Sequence, residues 1–585
     1  MKKKFNDAST RLPLTLSRLT RRLNFFQEDG FVQSILEKHS SAFLARNRDR
    51  LEKTGAFVAG KLDIQAQYSD TERPAQLCVM SRIHPPGQDI KVLKSHVLSS
   101  KEYEDCHQDA YRLGAIAPSF TTDGTGMREP HLLSFTMGYM LSKSDISVHC
   151  PVTMSGAVAY VLEHFAPPSV RDQYLPELLR QDGKTSTGGT WATERHSGSD
   201  VGATTTTATP LSTDPQSGEK SVQLNGIKWF ASNASSQIAV ATARLDGAGD
   251  GGKGLGLYLV PSHKPDGTKN SYVLERLKNK MGTKGLPTGE IRLENAYAVE
   301  IVPPPHGLRI MMEALGYSRV HNAMAAAGVM HRTYLEGLVW TSNRETFGQA
   351  LIDRPMIQKR LLDLEMTWQA GTALAFEAAK SFDQCAATGD LMSDDKIWMR
   401  IITAIAKFKT AEQAVDCAQK SLTLIGGNGY TEDFATSRIL RDAMVLPVWE
   451  GPEQIQAKEL MGMLFADNER GAKIFKQTLK QRIDGIEDAP LRKTLSKSLT
   501  IITRSDIPAM RKNPLLADAN ADILMNKMAL LCEAVMLAQQ AQWSLSHKGQ
   551  RRSMELCRRF VEHHQAILCK ASPKTIDPMI RRPRP

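Results

Sequence analysis

Apolar positions in the first part of the chain recur at helical spacing, as in Phe31-Val32-Gln33-Ser34-Ile35-Leu36 and Ser155-Gly156-Ala157-Val158-Ala159-Tyr160-Val161-Leu162. Polar and Pro-containing segments separate such blocks, so the pattern predicts a mostly helical region from about Leu23 to Leu179. Near Gly188 the pattern changes to β-branched residues, alternation and Gly/Asn turns. Thr204-Thr205-Thr206-Thr207, Ser221-Val222-Gln223-Leu224, Ile238-Ala239-Val240-Ala241-Thr242, Leu255-Gly256-Leu257-Tyr258-Leu259-Val260 and Glu290-Ile291-Arg292-Leu293 read as strands. Asn225-Gly226 reads as a hairpin-type turn. Strands at this spacing predict a compact β-barrel or sandwich of about 110 residues. The glycines between Gly247 and Gly256 lack the strand-GxGxxG-helix order of a dinucleotide site and read as a hairpin loop.

After Pro303-Pro304-Pro305 helical spacing returns. Leu308 to Arg344, Pro355 to Phe382, Asp394 to Leu424 and Glu453 to Phe465 read as four long helices with short connections, which predicts an antiparallel bundle. A further helical region follows Asn468 and ends in Arg581-Arg582-Pro583-Arg584-Pro585. The expected class is α+β: a basic arm at 1–22, a helical domain at 23–187, a β-domain at 188–302, a four-helix bundle at 303–468 and a basic helical extension at 469–585. A chain of 585 residues exceeds what one core supports, in agreement with that division.

Charge changes the picture at one end. Residues 471–585 hold 21 Lys/Arg against 10 Asp/Glu, so the net charge of +11 lies wholly in the extension. Residues 1–25 add seven basic side chains against Asp7 alone, read as a short basic arm with a mitochondrial presequence as the alternative. The eight cysteines are scattered without a CxxC pair or zinc-like spacing, and no apolar run spans a bilayer. The expectation is a cytoplasmic protein with reduced thiols, no metal and no membrane span.

Two segments carry the chemistry. Val448-Trp449-Glu450-Gly451-Pro452-Glu453-Gln454-Ile455-Gln456 sets one carboxylate on a tight turn before an amphipathic helix, and Thr193-Glu194-Arg195-His196-Ser197-Gly198-Ser199-Asp200 is a loop of small hydroxyl residues and glycine. A helix-start carboxylate serving the dipole is the plain structural reading of Glu450. Taken with Gly226-Ile227-Lys228-Trp229-Phe230-Ala231-Ser232-Asn233, Arg344-Glu345-Thr346-Phe347-Gly348, Gln358 and Ile425-Gly426-Gly427-Asn428-Gly429-Tyr430, they resemble the acyl-CoA dehydrogenase family over roughly residues 23 to 465.

The resemblance implies FAD, with Thr193, Ser199, Phe230 and Ser232 beside the flavin and Gln454 near its adenylate. It implies that Arg344, Phe347, Gln358, Gly426 and Gly427 reach the FAD of a neighbouring subunit in a homotetramer built as two dimers. Glu450 is then the base for α,β-dehydrogenation of an acyl thioester such as an acyl-CoA; Ser318 occupies the position where some branches carry the base instead. The long basic extension, the Trp-Glu-Gly motif and Lys-Trp-Phe-x-Ser are similar to the AidB-like, alkylation-response branch of the family. That branch brings two alternatives: a flavoprotein binding double-stranded DNA with little turnover, or an acyl-ligand binder. Arg551, Arg552, Arg558 and Arg559 are the candidate DNA contacts, with Glu555 placed to pair with them instead.

Overall fold

The computed structural model describes residues 18–85, 87, 90–390 and 392–572. Most of the N-terminal arm and the Arg581-Arg582-Pro583-Arg584-Pro585 tail lie outside the described residues.

Thr20–Arg22, assigned above to the arm, form a short 3-10 helix with Thr20 buried against the bundle, its hydroxyl donating to Glu336 at 2.8 Å. Helices α1 (Gly30–His39), α2 (Ser41–Phe57) and α3 (Asp63–Thr71) follow. Asp29 and Ser40 cap the first two by accepting from Val32 and Phe43 backbone amides. The region read as mostly helical then contains a hairpin that the pattern did not predict, β1 (Gln76–Ile83) and β2 (Lys91–Leu98). Neither strand buries a continuous face, and tertiary docking holds them: the Ser95 hydroxyl donates to Leu274 O at 2.6 Å and Arg292 to Val92 O. Helices α4 (Lys101–Arg112), α5 (His131–Leu141), α6 (Ile146–Phe165) and α7 (Pro168–Leu178) complete the N-terminal part, α5 and α6 being buried all round.

The middle sheet comprises β3 (Gly188–Trp191), β4 (Thr207–Thr213), β5 (Lys220–Ser232), β6 (Ile238–Leu245), β7 (Leu255–Pro261), β8 (Tyr272–Leu277) and β9 (Thr288–Val302). Its pairings run β6-β4-β5-β9-β7 and back to β6, closing a barrel, with β3 added on β6 and β8 on β9. Residues 246–254 join antiparallel β6 and β7, as a hairpin loop should. Two expectations are corrected. Thr204–Thr206 precede β4, because Thr205 and Thr206 are spent on Glu194. Asn225-Gly226 is a bulge inside β5 instead of a turn. A Cβ on Gly226 would meet Thr206 Oγ1 at 2.4 Å, so glycine answers a close approach there, while Asn225 bonds Asn295 across the sheet.

Glu194 pins this approach. Its carboxylate accepts from the amides and hydroxyls of Thr205 and Thr206 and from Lys228 Nζ at 2.9 Å, and Lys228 donates also to Thr242 O at 2.8 Å. Burial would raise the carboxyl, but Lys228 and these hydrogen bonds hold it down at about 2.

Four long helices form the bundle: α8 (Gly307–Asn343), α9 (Pro355–Thr388), α10 (Asp394–Ile425) and α12 (Glu453–Asp484), with short α11 (Ala435–Ala443) between the last two. α12 breaks at 466–469, where Asp467, Asn468 and Glu469 take φ of 47°, 54° and 64°. Beyond it α13 (Ala489–Ile501), α14 (Ile507–Lys512), α15 (Pro514–Ala519), α16 (Ala521–Lys548) and α17 (Arg551–Leu568) form the extension, α16 packing on α9, α10 and α12. Among the described residues no helix is long and apolar enough to cross a membrane, and no group of three His, Cys, Asp or Glu is placed to hold a metal ion.

One buried carboxylate joins the layers. Asp63 accepts from Arg21 at 2.6 Å, Arg332 at 3.0 Å and Arg438 at 2.7 Å, which belong to the N-terminal segment, α8 and α11. Burial alone would raise Asp63, but the three guanidiniums hold it well below the usual carboxylate range.

Asp63→Asn should lower the unfolding free energy by about 3–5 kcal/mol in a urea melt, since it leaves buried Arg438 without its ion-pair partner, while Arg332 keeps Glu336. Glu194→Gln should cost a similar ~3 kcal/mol by stranding Lys228. The folded Glu194 carboxyl sits below its unfolded value near 4.3, so its contribution is full above that pH and is lost as pH falls toward about 2. The wild-type advantage over Glu194→Gln should therefore shrink across that window, and an advantage unchanged down to pH 2.5 would refute the assignment.

Candidate active site

The strand β3 delivers the chain into the 193–200 loop, and β5 brings a second segment alongside it: Trp229 N donates to Thr193 O at 2.9 Å. Thr193 is thereby held against the Trp229 end of the segment that carries Phe230 and Ser232. Ser199 and Gly198 lie exposed, and a Cβ at Gly198 would meet nothing within 4 Å. The Phe230 ring is 55% exposed, while Trp229 is covered by Lys278 Nζ, 3.2 Å from its centroid, and by Arg195. Ser232 Oγ lies 3.5 Å from Thr288 Oγ1 on β9, and Thr288 accepts from Lys280 Nζ at 3.0 Å.

From Lys280 the site continues into the helices. Lys280 Nζ also donates to Leu286 O at 2.7 Å, and burial pushes it down to about 8, with Cys150 and Asp442 among the groups facing it. Cys150, Met154 and Leu286 make a small apolar cluster against which Trp449 packs. Burial, with Glu450 nearby, pushes the Cys150 thiol up to about 12.

Glu450 ends the turn that follows α11. Its φ is 58°, the left-handed region, and Gly451 follows at 93°. The Trp449 indole N–H donates to Asn322 Oδ1 at 2.7 Å, and the Asn322 amide donates to Leu446 O at 3.2 Å. Glu450 Oε2 is sealed from solvent with no hydrogen-bond partner among the described residues. Burial raises its carboxyl to about 7 against the opposing charges of Arg319 and Lys407. A carboxylate so placed holds a proton weakly enough to release it near neutrality and strongly enough to remove one. Ser318 donates to Ala314 O at 3.1 Å and carries no charge, so Glu450 has no rival there.

Gln454 lies exposed as the second residue of α12, its amide on Glu453 at 2.8 Å, in a cleft of about 590 Å³ between α12 and the 510–522 helices. The remaining cofactor candidates gather at another end of the bundle. Phe347 and Gly348, at φ 51° and 79°, form the tip of a two-residue hairpin after α8, leaving Phe347 97% exposed. Arg354 lies 5.4 Å from the Phe347 centroid, and Gln358 is exposed one turn on. Trp340, Ile425 and Phe434 pack as one cluster, which brings the C-terminal end of α8, just before Arg344, to the end of α10, where the Gly426–Tyr430 turn begins. Cβ atoms at Gly426 and Gly427 would meet nothing within 4 Å, and Tyr430 is 81% exposed. Among the described residues no hydrogen bond or ring contact joins this set to the one around Phe230 and Glu450.

The arginines of α17 are placed differently. Arg552 pairs with Glu365, Arg558 with Asp488 at 2.8 Å and Arg559 with Glu555 at 3.0 Å, while Arg551 is exposed. The sequence reading missed Arg319, Lys407 and Asn322, which surround the Glu450 turn. Their signal was present: each is a charged or amide residue inside an apolar helical run, such as Ile401-Ile402-Thr403-Ala404-Ile405-Ala406-Lys407-Phe408.

Comparison with known proteins identifies the middle and C-terminal parts of the chain. The family model described as acyl-CoA dehydrogenase, middle domain, matches residues 189–296, and that described as acyl-CoA dehydrogenase, C-terminal domain, matches residues 305–463. The chain is 31% identical over 367 residues to acyl-CoA dehydrogenase family member 11 of Caenorhabditis elegans, covering 61% of this chain and 58% of that protein. It is 28% identical over 324 residues to the putative acyl-CoA dehydrogenase AidB of Escherichia coli (strain K12), covering 54% and 57%. The match thus spans little more than half the length of either curated relative. The crystal structure of Caenorhabditis elegans ACDH-11 in complex with C11-CoA shares the fold, with a TM-score of 0.79 at 23% identity over 96% of this chain and 93% of that one. A barrel between two helical parts, the two family-model matches and these relatives together establish that the chain belongs to the acyl-CoA dehydrogenase family.

Proposed function

We propose that the protein is an FAD-dependent oxidoreductase that dehydrogenates an acyl thioester at its α,β carbons, with Glu450 as the base. The observation that carries this reading is the Glu450 carboxyl. Its Oε2 is sealed and unpartnered, burial raises the carboxyl to about 7, and the neighbouring Trp449 packs on Cys150, Met154 and Leu286. A helix-start carboxylate serving only the dipole would keep its ordinary acidity; this one, with Oε2 sealed, does not.

The residues present fit FAD. The open cradle at Gly198, the exposed Phe230 ring and the Ser232 hydroxyl offer small side chains, a stacking face and a donor on one side of the barrel. Thr193 and Ser199 belong to the same surface. Gln454 on α12 and the far set, Arg344, Phe347, Gln358, Gly426 and Gly427, suit a pyrophosphate and adenine, with a guanidinium and glycines that admit close approach. Their separation within one chain favours service to the FAD of a second copy, in a homotetramer of two dimers. FAD, when bound, supplies the hydride acceptor. Glu450 takes the α-proton onto its carboxylate, and the apolar wall around Trp449 excludes the water that would otherwise level its basicity.

An acyl-CoA is the proposed substrate class, a reading supported by family membership and by the C11-CoA held by the nematode structure. The DNA-binding alternative draws less support, since three of the four α17 arginines face carboxylates of this chain.

Anaerobic titration of the flavin-loaded protein with acyl-CoAs of graded length and branching should bleach the flavin with one class. Glu450→Gln should bind FAD and slow bleaching about 10²–10⁴-fold. Because the carboxylate form is the base, the bleaching rate should rise with pH through about 7. Bleaching by no acyl-CoA, or equal bleaching by Glu450→Gln, would overturn the reading, and tight acyl-CoA binding without bleaching would indicate a sequestering role.

A further inference from the structure

The turn that carries Glu450 is held by donors reaching in from three helices. Arg319 on α8 donates through Nε to Glu450 O at 3.0 Å, and Gln456 on α12 donates to Glu450 O at 3.0 Å and Gly451 O at 3.1 Å. Lys407 on α10 spans the turn: its Nζ donates to Gly451 O at 2.6 Å and to Pro447 O at 3.3 Å. Lys407 is 1% exposed, within the apolar run 401–408 of a bundle helix. A lysine at such a depth costs stability unless its charge is used, and no carboxylate pairs with it among the described ion pairs. Its hydrogen bonds go to backbone carbonyls alone, at the two ends of the segment whose middle carries Glu450.

That segment needs holding. A left-handed φ of 58° is strained for a residue with a Cβ, and Gly451 at 93° continues the reversal. Relaxing either residue would move the Glu450 side chain away from Cys150 and Trp449.

We propose that Lys407 is a positioning residue for Glu450: its buried ammonium ties Pro447 O to Gly451 O, fixes the left-handed turn, and sets a cation beside the carboxylate. This rests on the reading of Glu450 as the base. The charge balance around the pair is short. Arg319 and Lys407 face Glu450 from α8 and α10, the Cys150 thiol faces it from α6, and Lys407 is faced in turn by Glu450, Arg319 and Glu453. Arg319 is shared, since its other nitrogen is 2.5 Å from Glu459, which also meets Arg400 at 3.3 Å. Lys407 has no such second anchor, so its charge acts on the turn. Burial pulls the Lys407 ammonium down to about 7 while it pushes the Glu450 carboxyl up to about 7, with each group's charge opposing the other's shift. Removing Lys407 therefore deprives Glu450 of one of two cations that hold its acidity.

The test is an infrared pH titration of the flavin-loaded full chain, following the protonated-carboxyl band that Glu450→Gln abolishes. Lys407→Met should raise the Glu450 midpoint by about one pH unit or more, and Lys407→Arg should return it toward wild type. The same variant should bleach at least tenfold more slowly at pH 7, with the lost rate partly recovered at higher pH. Lys407→Gln, which keeps a donor without the charge, serves if the methionine form does not fold. A wild-type midpoint in a folded Lys407→Met or Lys407→Gln protein overturns the proposal. So does a result in which both fail to fold while Lys407→Arg folds with an altered midpoint, because the lysine is then a prop and no more. The infrared midpoint needs no turnover. A wild-type protein that no acyl-CoA bleaches defeats the dehydrogenase reading, while the midpoint still decides the role of Lys407.

Discussion

The Asp63 carboxylate is the point on which the layers depend. Three guanidiniums from distant parts of the chain converge on it, and two of them, Arg332 and Arg438, are buried. A buried charge is costly by itself and is tolerated when opposite charges satisfy it. Here the cost fixes relative placement. Arg332 belongs to the helix that also carries Arg319 and Asn322, and Arg438 to the short helix that leads into the Glu450 turn. Asp63 therefore sets the two walls between which the proposed base is held, although it lies outside the site.

Around Glu450 the protein balances two opposed effects. Desolvation makes the carboxyl a stronger base, and the cations at Arg319 and Lys407 keep it from being permanently protonated. Neither effect requires a charge to touch Oε2, and the structure gives that oxygen no partner among the described residues. The donors are spent on the main chain instead. The turn is made rigid through its carbonyls and the carboxylate is left free to meet a ligand.

Much of this architecture was legible in the pattern of side chains, for physical reasons that differ by region. Long helices with apolar faces declare themselves over many turns, so α8 to α10 were readable, and the alternating strands of the barrel were readable in outline. The β1–β2 hairpin was not, because its strands lie half exposed and owe their conformation to docking on β8 through Ser95 and on β9 through Arg292. Asn225-Gly226 misled because glycine answers two needs, a reversal or a close approach, and Thr206 supplies the second. In the site, Glu450 was marked by its own turn, whereas Lys407 and Arg319 lie 43 and 131 residues away from it in sequence and disclose their task only when the helices bring them to the same carbonyls.

The hairpin tip at Phe347 has a consequence for how such a protein is handled. A large ring held almost wholly in water by a tight turn is poorly used by a lone chain, and on the proposed assembly it is covered only when a second copy and its cofactor meet it. Cofactor affinity then ceases to be a property of the subunit. It becomes a function of protein concentration by mass action, so that dilution alone empties the site and concentration refills it with no change in the fold of either chain.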